Sequence, residues 1–309
     1  MNEHTTPLHP ERTIAQVRST GRRIGATTLL FGVLAASASL VSGPSSAAAA
    51  DVQTLKVKAT ETTNGAYVFE GLPATLKGGN IAIELTNAGK EEHDLAILRI
   101  DGIHSLSDVL KVIGSEGGPI PAWIHADGGV AGIGPGKVGR ATVNLAAGKY
   151  MFVCTMTNDK TKKAHASGGM AKTITVTGSK ASALPSGATA TITAKEYGFE
   201  TKGLKAGKNV VEFAVAGKEV HHFLMFPIMA GKTIADAKAA FTSDKAPTGP
   251  PPVDFDKAQG SQVIEKSEGS ILTEVNLTAG RWARVCFMSD RVGGPPHIMK
   301  GMISEVVIK

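Results

Sequence analysis

Cysteine is nearly absent from this chain: two residues in 309, Cys154 and Cys286. That excludes the disulfide-dense framework of small exported domains. Aromatic residues make up only 5% of the sequence, and nowhere are they interleaved with basic runs. The formal net charge of +6 falls to +4 once residues 1–50 are set aside. Such a weakly basic surface is not a phosphate-backbone footprint, and no nucleic-acid partner is expected. Mean hydropathy is near zero, too polar for a chain of many membrane spans, while 42% hydrophobic residues is too apolar for disorder. The glycine-rich stretch Gly128 to Gly139 lacks the Lys-Ser/Thr pair of a phosphate loop.

What is present begins with a leader. Arg18, Arg22 and Arg23 precede an apolar run from Ile24 to Val41, followed by the small-residue string Ala47 to Ala50. This is the order of an export signal cleaved near Ala50. The mature chain is then expected outside the cytoplasm, secreted, periplasmic or at the cell surface. Arg22–Arg23 leaves both general and twin-arginine export open.

Beyond residue 50 the sequence repeats once. Ala88-Gly-Lys-Glu-Glu-His93 returns as Ala216-Gly-Lys-Glu-Val-His221. Val143-Asn-Leu-Ala-Ala-Gly-Lys149 returns as Val275-Asn-Leu-Thr-Ala-Gly-Arg281. A period near 130 residues is a domain, not a solenoid unit. The expected division is residues 1–50 leader, 51–178 first domain, 179–187 linker and 188–309 second domain.

Each half reads as strands. Ile83 and Leu85 alternate with Glu84 and Thr86, and Val211 and Phe213 alternate with Glu212 and Ala214, which is the period of a half-buried strand. Ser105-Leu-Ser-Asp108 and Thr233-Ile-Ala-Asp236 have the form of helix caps, one short helix per half. The fold class expected is all-β: two tandem Greek-key β-sandwich or barrel domains, each with one short helix in a long connection.

The two cysteines occupy one position of the repeat. Equivalent strand positions in separate domains are poorly placed for a disulfide, and a thiol kept free in an oxidising compartment is commonly held by a metal. Cys154 is followed by His165 and Met170, and Cys286 by His297 and Met302, with ten and then four residues between in both halves. One matched histidine lies upstream in each, His93 and His221. Two imidazoles, a thiolate and a thioether form the donor set of a blue-copper electron-transfer site. Zinc rarely takes methionine.

Each half resembles a cupredoxin of the plastocyanin and azurin type. The residues that carry the resemblance are Asn87-x-Gly89 before His93, Gly148 to Cys154 and His165-x4-Met170. In the second half they are Ala216-Gly217 before His221, Gly280 to Cys286 and His297-x4-Met302. The resemblance implies two copper ions, one per domain. His93, Cys154 and His165 would be the in-plane ligands of the first, with Met170 axial. His221, Cys286 and His297 would hold the second, with Met302 axial. Asp94 and His222 would steady the ligand loops by hydrogen bonds. Met299 is a competitor of Met302 without a counterpart in the first half. Met156 and Met288 are expected to pack near the sites, and His104 and His125 to be ordinary surface histidines.

The function expected is electron transfer with a Cu(I)/Cu(II) cycle at each site. The alternative is copper storage, delivery or sensing, which the long Cys-to-His loop would ease. Partners would be redox proteins or copper-handling proteins, and trimers are common among two-domain relatives. Val153 and Val285 stand immediately before the cysteines, where nitrite reductases place histidine. Only His104, His125 and His222 are spare, too few for a trinuclear cluster. From this the sequence suggests a chain that is not an enzyme and has no small-molecule substrate pocket.

Overall fold

The computed structural model describes residues 52–115, 117–158, 160–243 and 249–309. The expected leader lies outside the described residues. In chain order the first half contains β1 (Val52–Glu61), β2 (Tyr67–Glu70), β3 (Thr75–Lys77), β4 (Gly79–Asn87), β5 (His93–Ile100), β6 (Ile124–Ile133), β7 (Val138–Leu145), β8 (Gly148–Val153) and β9 (Ala171–Thr177). The second contains β10 (Ala190–Lys195), β11 (Gly198–Lys202), β12 (Gly207–Val215), β13 (Leu224–Pro227), β14 (Gln259–Gly260), β15 (Ser270–Leu277), β16 (Gly280–Val285) and β17 (Ile303–Ile308).

In the first half β2-β1-β4-β7 face the sheet β3-β9-β8-β5-β6, and in the second β11-β10-β12-β15 face β14-β13-β16-β17. The all-β, two-layer expectation holds. Alternation explains the layers: on β4, Ile81, Ile83 and Leu85 are buried while Ala82, Glu84 and Thr86 are half-exposed. β8 is buried on both faces. Its Tyr150 and Phe152 enter the sandwich core with Ile81, Ile83 and Leu85. Met151 and Val153 pack with Val109 of the helix Leu106–Ile113. Each short helix opens on a capping box, Ser105 with Asp108 and Thr233 with Asp236. The cap side chain accepts the N–H of the aspartate three residues on, and that carboxylate accepts the cap residue's N–H in return, so two orphan donors are satisfied.

One feature joins the halves. β7 pairs with β15 through Ala141↔Thr273 and Thr142↔Leu272, so two four-stranded layers run on as one eight-stranded sheet. The connection between β9 and β10 is fastened to the first half: Asn80 donates to the Ala183 carbonyl (2.8 Å), and Asn144 exchanges bonds with Ala181 (2.8 and 2.9 Å). Among the described residues no helix is long and apolar enough to cross a membrane.

Candidate metal centres

The first candidate centre gathers residues from three strand ends. His93 opens β5, Cys154 follows β8, and His165 starts a 3-10 turn (His165–Gly168) that leads to Met170 before β9. β5 carries irregularities in its pairing with β6 between His93 and Leu95 and between Ala96 and Leu98. Bulges of this kind re-aim side chains beside functional sites. Gly129 lies opposite, where a Cβ would stand 1.9 Å from the Leu95 carbonyl oxygen. Glycine is therefore required for the two strands to approach.

The donor atoms converge. Cys154 Sγ lies 3.8 Å from His93 Nδ1 and 3.6 Å from His165 Nδ1, and the two nitrogens are 3.2 Å apart. In the second half Cys286 Sγ lies 3.8 Å from His221 Nδ1 and 3.5 Å from His297 Nδ1, with 3.1 Å between the nitrogens. A point about 2 Å from all three atoms exists in each triangle, which is a metal bond length for imidazole and thiolate. All six side chains are buried. The backbone repeats too. Cys154 N–H donates to the Met170 carbonyl (3.0 Å) and Met170 N–H to the His165 carbonyl (3.1 Å); the second-half counterparts measure 3.2 and 2.9 Å. Gly169 and Gly301 take left-handed conformations (φ 115° and 99°) that turn the chain into the methionine. Met170 and Met302 are fully buried, whereas Met299 is 55% exposed.

Burial sets the protonation of the donors. Burial raises the Cys154 thiol well above its usual range, with the Asp94 carboxylate adding to it. Burial pushes Cys286 up to about 12. Burial also lowers His165 and His297, and brings His221 down to about 4 with the His297 ring contributing. These three imidazoles are neutral ligands at neutral pH, and each thiol gives up its proton only to a metal. Both cysteines are free. The residues present thus fit a copper ion at each triangle, in donor type and in geometry.

Asp94 and His222 do matching work. Thr155 N–H donates to Asp94 Oδ1 (2.7 Å), and Phe287 N–H donates to His222 Nε2 (2.9 Å). Each ties the residue after the cysteine to the residue after the first histidine. The sequence reading missed the carboxylates behind the rings. His93 Nε2 meets Glu61 Oε1 at 2.9 Å, His165 Nε2 meets Glu91 Oε2 at 3.0 Å, and His297 Nε2 meets Asp290 Oδ1 at 3.1 Å. Tyr67 stacks on the His165 ring (4.0 Å between centroids), and its hydroxyl is held by Glu91 and Asn158. In the sequence Tyr67 and Tyr197 are marked by a shared order, Tyr67-Val-Phe-Glu70 and Tyr197-Gly-Phe-Glu200.

His104 stacks on Trp123 (3.7 Å). His125 is no ordinary surface residue. It meets Glu265 of the other half at 2.6 Å and Asp101 at 3.0 Å. His125, Glu265 and Glu268 form a third group of metal-type donors. Their carboxylates are already paired with Arg291 (2.5 Å), Arg99 (3.0 Å) and Lys180 (2.9 Å), so the cluster is an ion-pair bridge between the halves. Beside it burial, reinforced by Glu268, lifts Asp127 to about 9. A cavity of about 480 Å³ lies between the halves and is lined by Asp94, Thr155, His222, Gln262 and Phe287 among others.

The fold is cupredoxin-like. Its two-layer halves and the ordered His-Cys-His-Met set establish this without recourse to overall likeness. No family model matches the chain, and no curated protein matches it. Among solved structures it is similar to auracyanin A, a "blue" copper protein from Chloroflexus aurantiacus, at 15% identity over 40% of this chain and 98% of that one (TM-score 0.29). It is also similar to copper nitrite reductase from Nitrosomonas europaea, at 15% identity over 84% of this chain and 94% of that one (TM-score 0.27). A multicopper oxidase structure is similar at 11% identity over 84% and 89% (TM-score 0.25). These findings correct one expectation. The sequence reading of a chain that is not an enzyme does not stand, because nitrite reductase and multicopper oxidase are enzymes.

Proposed function

We propose that this chain is an exported copper-binding redox protein with one type 1 centre in each of two tandem domains, passing electrons between redox partner proteins. The observation that carries the reading is the pair of buried Nδ1–Sγ–Nδ1 triangles, matching to 0.1 Å on every side. A copper ion held there would supply one-electron chemistry through its Cu(I) and Cu(II) states. The chain's part is to hold the donors still. Cys154 and Cys286 would supply the thiolates and His93, His165, His221 and His297 their Nδ1 atoms, with the buried Met170 and Met302 as the thioethers on hand.

The alternative, storage or delivery, asks for a loop that opens. The loop between Cys154 and His165 is tied instead: Asn158 donates to Tyr67 Oη (2.8 Å) and to Glu91 (2.7 Å), and His165 N–H donates to the Met156 carbonyl (2.8 Å). The corresponding second loop is tied by Asp290 to Tyr197 (3.0 Å) and by Arg291 N–H to Glu219 (2.6 Å). A tied loop supports the electron-transfer reading, since donors that stay in place lower the rearrangement on oxidation.

The test is an optical and paramagnetic spectrum of the copper-loaded mature chain, with metal stoichiometry. Two coppers per chain and an intense thiolate-to-copper visible band are expected. Cys154→Ser and Cys286→Ser should each remove about half of the band, and an oxidised protein without colour overturns the proposal. Sequencing the N-terminus of the exported protein should find it just after Ala50.

A further inference from the structure

The two centres share one donor set but not one electrostatic setting. In the first half both ring nitrogens facing away from the site meet a carboxylate, His93 on Glu61 and His165 on Glu91. With Nδ1 turned inward, Nε2 must carry the hydrogen, and each ring donates to an anion. Such a partner makes the imidazole a stronger donor, and its negative charge favours the more positive state of a bound ion.

In the second half that support is thinner. Among the described residues His221 Nε2 is buried with no hydrogen-bond partner. Glu196 stands where Glu61 stands in the first half, but it is taken up by backbone N–H groups, those of Lys218 and Glu219 (3.2 Å to the latter). Glu61 accepts the corresponding N–H groups of Lys90 (2.7 Å) and Glu91 (3.1 Å) and reaches the ring as well. Asp290 does accept from His297. Like Glu91 it accepts from a tyrosine hydroxyl, but it also binds the Lys300 ammonium, which offsets its charge.

A third difference is cationic. Arg284 precedes Cys286 by two residues on the same face of β16, about 7 Å along the strand. It is only 5% exposed. Its partners are the hydroxyls of Thr201 and Ser304 and the Phe199 ring, 4.6 Å away. No carboxylate faces it among the described residues. The matching position of the first half is Phe152, fully buried in the apolar core. An unpaired guanidinium in a low-dielectric interior disfavours further positive charge nearby.

All three differences push the same way. We infer that the first centre has the lower reduction potential, so that electrons within the chain run from the Cys154 side to the Cys286 side. Glu61 and Glu91 act as positioning residues of the first centre, and Arg284 as a tuning residue of the second. The inference rests on the copper reading above.

The experiment is a spectroelectrochemical titration of the copper-loaded full chain. Cys286→Ser isolates the first centre and Cys154→Ser the second. Losing one partner behind a ligand histidine changes metal binding by about 10–100-fold. With the lower end of that effect falling on Cu(II), the state that the added negative charge favours, the two centres should differ about tenfold in their preference for Cu(II) over Cu(I), about 59 mV for one electron. Glu61→Gln keeps an acceptor for the ring and loses the charge. It should raise the first potential and leave the second in place, while Glu196→Gln, whose carboxylate makes no hydrogen bond to the His221 ring, should raise the second potential by less than Glu61→Gln raises the first. Arg284→Phe should lower the second potential. A chain that forms both thiolate–copper bands but gives equal or reversed potentials overturns the inference alone, as does a Glu61→Gln protein with an unmoved first potential. A chain with neither band overturns the copper reading and the inference with it.

Discussion

Replacing Asn87 by valine tests how the first centre is held. Asn87 ends β4 and is fully buried. Its Nδ2 donates to the carbonyls of Glu91 (2.7 Å) and Ile133 (2.8 Å), and its Oδ1 accepts from Gly89 N–H (2.9 Å). These bonds shape the loop that delivers Glu91 and His93. The second half has Val215 at the matching place, so valine fits a strand end of this kind. Volume changes little, and the cavity contribution stays small. What remains is three lost hydrogen bonds at about 1 kcal/mol each, reduced where water reaches the half-buried partners, or about 2–3 kcal/mol in all. Urea unfolding of the metal-free protein, followed by Trp123 fluorescence in a Trp282→Phe background, reports on the first half. The midpoint should fall by about 1 M for a slope of 2–3 kcal/mol/M. A shift below roughly 0.3 M would refute the reasoning.

Two further outcomes follow from the same geometry. Copper binding at the second centre, measured in the Cys154→Ser chain, should release one proton at neutral pH. The Cys286 thiol at about 12 must ionise, while His221 at about 4 is already neutral, so affinity should rise tenfold per pH unit; competition titrations giving two decades per unit would contradict this. Glu265→Ala removes the contacts to His125 and Arg291. With Arg291 23% exposed the loss should be about 2 kcal/mol, read as a lower thermal midpoint and as earlier proteolysis between the halves.

What could be read from the sequence was whatever chain order preserves. The donors sit beside strand ends, so the spacing of Cys154, His165 and Met170 survived as a repeat, and the helix caps were visible because a capping box spans four residues. Glu61, Glu91 and Asp290 were not legible, since each meets its imidazole through pairing that brings separate strands or loop residues together. Glu91 and Glu219 even share a motif position, yet Glu219 accepts from Arg291 N–H instead of a ring. Nor did anything announce the junction of the halves: Ala141, Thr142, Leu272 and Thr273 are ordinary strand residues. His125 was misjudged for the same reason, because its partner Glu265 lies 140 residues away.

The seam between β7 and β15 rests on two residue pairs, yet it seals a flank on each half. Cut the chain at the connection after Thr177 and both fragments would carry a raw strand margin with unmet N–H and C=O groups, a ready template for stray partners. Severed halves should therefore clump or couple with their own kind, and the full-length chain serves as its own chaperone for those two margins.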